Sequence, residues 1–222
     1  MKDLGFTVYD FFGYIASGIL FIFAYQIWIF KQVLIPVSFS FESGLLYIIS
    51  AYIIGHLLSF CSKIIFERPL NKKSSPVNIL LNECRHHNAV SDYYSPLPVK
   101  LRNIINSKLP LGLKTIPCSD SKKREGESLL LYLDATLGKD DKIKPRIDVY
   151  LSLYGFCRAV SFTLFLITGL IILGSFSRGT YMDLAWAGIA MACAGGMFLR
   201  YLKFYRLYAE ELLIAFTVNG DH

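Results

Sequence analysis

Apolar residues along this chain are gathered into long unbroken blocks rather than spread at a helical or strand period. Phe11 to Phe30 is a run of 20 without a formal charge, and Gly44 to Ser62 is a second, interrupted only by His56. Ala159 to Ser177 is a third, and Leu184 to Leu199 a shorter fourth. A helix crosses the hydrocarbon core with about 20 apolar residues, and roughly 17–25 are tolerated. The first three runs meet that length. The fourth meets it if Tyr181 to Asp183 and Tyr201 to Lys203 lie in the interfaces. The pattern predicts an all-α polytopic membrane protein with four transmembrane helices arranged as two hairpins.

Between the hairpins the pattern changes. Glu67 to Arg158 is a polar insert that opens with "RPLNKKSSP", where Pro69 and Pro76 stop any continuing helix. Short helices are predicted over "VNILLNECRHH", over "SPLPVKLRNIINSKL" and over "GESLLLYLDATLG". The second is expected to gather Val99, Leu101, Ile104, Ile105 and Leu109 on one side. "SDSKKREGE" reads as a solvated loop. From Pro145 to about 176 no helix breaker occurs, and Pro suits a first helical turn. One helix of that length spans roughly 48 Å against about 30 Å of hydrocarbon, so its first turns would stand outside the bilayer. The tail "RYLKFYRLYAEELLIAF" extends the fourth span in the same way. The organisation expected is a first hairpin over 1–66, a helical insert over 67–158, a second hairpin over 159–199 and a helical tail over 200–222. There is no internal repeat at a fixed period.

Composition agrees with this reading: 54% of the 222 residues are apolar and 18% charged, against about a quarter charged in ordinary soluble domains. Charge then sets the orientation. Lys31 and Arg178 are the basic residues of the two short connections, and the remaining 21 of 23 Lys and Arg lie on the opposite side. Basic residues favour the cytoplasmic side, and Lys63, Arg158 and Arg200 beside the spans carry most of the weight. Both termini and the insert are expected in the cytoplasm. The first run is longer than the roughly 7–15 residues of a signal-peptide core and is expected to stay as an anchor. None of the five cysteines (Cys61, Cys84, Cys118, Cys157, Cys193) falls in the short outer connections, so disulfides are not expected.

Three groups of residues carry candidate chemistry. On the second span Tyr52, His56, Ser59 and Lys63 fall on one helical stripe that runs towards Glu67. Polar groups in hydrocarbon are expensive and face other helices or water. The stripe is therefore either packing glue, with neutral His56 bonded to Tyr14 or Ser17, or the lining of a gate. Gly188, Ala192 and Gly196 recur every fourth residue on the fourth span, which allows close helix packing with the third span or with another subunit.

The third group is in the insert, whose 16 Lys and Arg against 10 Asp and Glu leave a net charge of +6. Arg85, His86 and His87 precede Tyr93 and Tyr94; Lys100 and Arg102 lie on the second predicted insert helix, and Lys122, Lys123 and Arg124 form a run. Cations beside aromatic rings suit a polyanion bearing bases, with charge for phosphate and rings for stacking. Positive-inside bias alone also makes such inserts basic. Cys84, His86 and His87 do not make the paired four-ligand spacing of structural zinc, so neither a metal nor another cofactor is expected. No Gly-rich phosphate loop, Ser/His/Asp signature or H-E-x-x-H occurs, which argues against an enzyme.

Four segments bring a resemblance into view: "DFFGYIASGILF", "YIIGHLLSFCSKIIFE", "RIDVYLSLYGFCRAVSF" and "FLRYLKFYRLYAEELLIAF". The chain resembles four-helix inner-membrane effector proteins of bacterial antiphage defence islands, most of all the membrane effectors of Hailong-type systems, which are encoded beside a nucleotidyltransferase. The resemblance covers the hairpins and their extensions, about half the chain, and His56 and Glu67 match the group's Gly-His and following acid. It implies a homo-oligomeric, ion-conducting effector, gated by a short nucleic-acid oligomer and arresting the infected cell. Oligomerisation as a tetramer is favoured, because four short helices hold too little polar surface to enclose a pore within one subunit.

Overall fold

The computed structural model describes residues 8–27, 41–67, 80, 97–108, 131–135, 144–178 and 181–219. These residues are almost entirely helical, and among them there is no strand. The helices whose bounds are described are α1 (Val8–Tyr25), α2 (Phe41–Ser62, continued by a π-helical turn at Lys63–Glu67), α3 (Val99–Lys108), α4 (Lys144–Arg178) and α5 (Tyr181–Asn219), and residues 131–135 are helical as well. Three of them, at Phe41–Phe66, Lys144–Phe176 and Met182–Val218, are long and apolar enough to cross a membrane. Among the described residues α1 adds a shorter apolar stretch, Phe11–Tyr25.

The chain divides into two compact units. Unit 1 is Met1–Ile65 with Ser152–Leu202, and unit 2 is Phe66–Leu151 with Lys203–His222. α4 and α5 are single helices of 35 and 39 residues that contribute to both. The sequence predicts α4 within two residues at each end. It does so because Pro145 pre-sets the first turn and nothing after it breaks the hydrogen-bond ladder.

In unit 1, α4 is the inner helix. Ile167 and Ile171 of α4 pack with Ala24 of α1 and Ala187 of α5. A seam of polar side chains also runs down α4 at seven-residue spacing: Tyr154, Ser161, Thr168 and Ser175 are all buried. Thr168 and Ser175 donate back to the carbonyls of Leu164 (2.9 Å) and Ile172 (2.7 Å). Ser161 instead crosses to the Ala194 carbonyl on α5 at 2.9 Å. Hydroxyls that satisfy themselves in this way can sit in an apolar interior without a desolvation penalty.

Unit 2 has a separate core of Leu80, Leu97, Ile105, Leu133, Ile147, Leu212, Leu213 and Phe216. Its edges are tied by Arg146 to Glu211 (3.2 Å), by Arg206 to Glu210 (2.6 Å) and by Lys108, which donates to the Thr217 carbonyl at 2.8 Å. The last contact satisfies a carbonyl in the final turn of α5, which has no partner within the helix. Part of the face predicted for α3 is corrected here. Ile105 is buried, but Val99 and Ile104 are exposed, and Arg102 takes a place inside. A 3.6-residue period cannot bring Val99 and Ile104 in with Arg102 once Leu97 and Ile105 define the inner side.

Candidate functional site

The site begins at the crossing of α1 and α2. A methyl group added to Gly18 would collide with the carbonyl of Ala51, and one added to Gly55 would collide with the carbonyl of Tyr14. The two backbones therefore touch, which only glycine permits. Ala51, Gly55 and Ser59 recur every fourth residue on α2 and are all buried. The close approach brings Tyr14 of α1 against His56 of α2, ring centroids 4.9 Å apart and edge to face. Tyr52 extends the cluster, 6.1 Å from Tyr14, 6.3 Å from His56 and 5.5 Å from Phe11.

The stripe on α2 thus divides. Ser59 is buried, Tyr52 is half-buried, and His56 and Lys63 are exposed. The hydrogen bond expected from His56 to Tyr14 or Ser17 is replaced by ring contact. The Ser17 hydroxyl is turned to its own helix, towards the carbonyls of Gly13 (2.8 Å) and Tyr14 (3.1 Å). Among the described residues the His56 side chain makes no hydrogen bond, so its imidazole stands on a long apolar helix with polar capacity to spare. The backbone of Glu67 closes the π-helical turn; its side chain lies outside the described residues.

One turn further along, the structure assembles a feature that the sequence reading used only as an orientation marker. Arg158 of α4 is 8% exposed. Its Nε donates to the Ser62 hydroxyl at 3.2 Å and its Nη1 to the Tyr154 hydroxyl at 3.0 Å, with the guanidinium 5.1 Å from the centroid of the Tyr154 ring. Ser62 in turn donates to the Ser59 carbonyl at 2.7 Å, directly before α2 passes into its π-helical turn. Tyr201 of α5 lies 5.3 Å from Tyr154, and Phe198 5.6 Å from Tyr201. A guanidinium is the cation best suited to burial, since its planar fork meets several hydroxyls and stacks on a ring. It ties α2 to α4, and the Tyr154 ring it covers lies against Tyr201 of α5. The available signal was the spacing of Tyr154 and Arg158, four apart on a helix, with serines at 59 and 62.

Gly188, Ala192 and Gly196 are all exposed, and a methyl group added to either glycine would meet nothing. The small-residue face of α5 is therefore not packed against α4, which Ala187 and Ala194 meet instead. Of the polyanion candidates, Lys100 is exposed on α3 and Arg102 is buried in unit 2. Arg85, His86, His87, Tyr93, Tyr94, Lys122, Lys123 and Arg124 lie outside the described residues, as do Cys84 and Cys118. Among the described residues no group of three or more His, Cys, Asp or Glu could hold a metal.

In unit 2, burial raises the Asp134 carboxyl above its ordinary range; the charge of Asp148 raises it further, and Lys144 opposes both. Comparison of the chain with protein-family models, with curated proteins and with solved structures returned no match.

Proposed function

We propose that this chain is a membrane effector of bacterial antiphage defence: a homo-oligomeric ion channel, gated through its insert by a nucleotide or a short single-stranded nucleic-acid oligomer. Four spans place both termini and the insert in the cytoplasm, and the protein sits in the inner membrane. A nucleotidyltransferase encoded alongside supplies the ligand. Opening depolarises the membrane and arrests growth, and the chain itself performs no catalysis.

The observation that carries this reading is His56. An imidazole exposed at the middle of an apolar span, on a chain taken alone, is poorly solvated by lipid. Water or another subunit accommodates it, and a water-lined assembly provides both. The open small-residue face of α5 supports close packing between copies, a tetramer being favoured over a dimer. The basic insert supports a polyanionic ligand.

Recording the purified protein in planar bilayers, with and without a short single-stranded oligonucleotide, tests the reading. Unitary current steps whose open probability changes with the oligonucleotide are expected. A silent bilayer under both conditions would leave a non-conducting scaffold that recruits a cytoplasmic partner through the insert.

A further inference from the structure

Three cations from three helices lie at a similar level along unit 1, on one edge of its apolar helices. Arg158 of α4 is held against Ser62 of α2, and Lys63 is the next residue after Ser62. Arg200 of α5 directly precedes Tyr201, whose ring lies against the Tyr154 ring that Arg158 covers. Each of the three adjoins the end of a charge-free run, at Ser62, at Ala159 and at Leu199. The same hydrocarbon boundary is thus marked on α2, α4 and α5.

Burial sorts the three by role. Arg158 is held between the helices by two hydroxyls and a ring, so its charge is fixed in place. Lys63 and Arg200 are exposed, and among the described residues neither enters a hydrogen bond or ion pair. Immediately inward of them on the same helices, Leu57, Phe60 and Leu199 are large, apolar and exposed. Exposed cations at the rim, a fixed cation at a similar level between the helices and apolar surface below match the chemistry of a phosphate carried on acyl chains.

We propose that this edge binds the phosphate of an anionic phospholipid, with Lys63 and Arg200 in contact with the headgroup and Arg158 supplying a preorganised positive field from between the helices. Basic pockets between transmembrane helices recognise such headgroups in this way. Free inorganic phosphate shares the charge but not the acyl chains, and the exposed apolar residues favour the lipid. The site does not depend on ion conduction.

Native mass spectrometry of the full-length protein in mild detergent, titrated with phosphatidylglycerol or phosphatidylcholine of the same acyl chains, reads the site directly. The wild type is expected to retain phosphatidylglycerol in preference to phosphatidylcholine. The double variant Lys63→Gln/Arg200→Gln, which leaves the Arg158 clasp intact, is expected to bind it roughly thirty-fold more weakly. Lys100→Gln, which removes an exposed cation of unit 2, is expected to change nothing. Equal retention of the two lipids by the wild type would overturn the proposal. So would wild-type affinity in the double variant, an equal loss in Lys100→Gln, or displacement of the lipid by an equal concentration of inorganic phosphate.

Discussion

Small residues spaced four apart occur on two helices of unit 1, with opposite outcomes. On α2, Ala51, Gly55 and Ser59 are buried, and the backbone of α1 lies directly on Gly55. On α5, Gly188, Ala192 and Gly196 are exposed, and nothing stands over the two glycines. The spacing gives both helices the capacity for close approach. What separates them is the partner: α1 presents Gly18 and the Tyr14 carbonyl to α2, whereas α4 meets α5 through Ala187 and Ala194. A small-residue repeat therefore states that a helix can be approached closely, and not by what.

The sharpest way to break this contrast is to fill both faces. Gly55→Leu would drive a side chain into the Tyr14 backbone, which cannot yield as a flexible side chain would. A loss of about 3 kcal/mol or more is expected, read as failure to accumulate in membranes or as a collapse of the thermal unfolding midpoint in detergent. Ser62→Ala acts at the next point along α2. It leaves the charged Arg158 donor short of an acceptor, for an expected cost of about 1.5–3 kcal/mol by the same thermal measurement.

Gly188→Leu sits at the other end of the comparison. With open space above it, the single subunit is expected to change by less than about 0.5 kcal/mol. If the α5 face joins copies, its oligomer mass in nanodiscs falls; an unchanged mass assigns that face to lipid.

The smallest effect belongs to Asp134. Its carboxyl titrates above its ordinary value when folded, so the folded state holds the proton more tightly than the unfolded chain does. Stability contributed there is present at low pH and falls as pH rises from about 3.9 through the raised folded value. Asp134→Asn should raise the unfolding midpoint slightly at pH 7, and the gain should shrink as pH falls towards 4.

Much of the fold was legible because the signals are local. The length of an apolar run, a proline at a first turn and the lack of a breaker locate α2, α4 and α5 without reference to anything else in the chain. The lateral arrangement was not legible, because it depends on pairs distant in sequence. Gly18 and Ala51 are 33 residues apart, and Ser62 and Arg158 are 96 apart. Arg158 looked like one more cation at a helix end, and only its contacts with Ser62 and Tyr154 show it tying α2 to α4. On α3 the apolar residues suggested a face that the structure rotates, because a long, partly apolar arginine stem can occupy an interior position. His56 was singled out as a polar residue on an apolar helix, and its neighbours prove to be rings rather than the expected hydroxyl.

That imidazole also offers the most direct test of the account as a whole. Unitary conductance should be recorded in planar bilayers for the wild type, His56→Leu and His56→Gln, with each variant first shown to have the wild-type oligomer mass. If His56 faces a water-lined path, the leucine variant changes conductance or open probability clearly, and the glutamine variant, which keeps a donor and an acceptor, changes it less. Leucine channels indistinguishable from the wild type would contradict the account and leave His56 as a ring packed against Tyr14 and Tyr52.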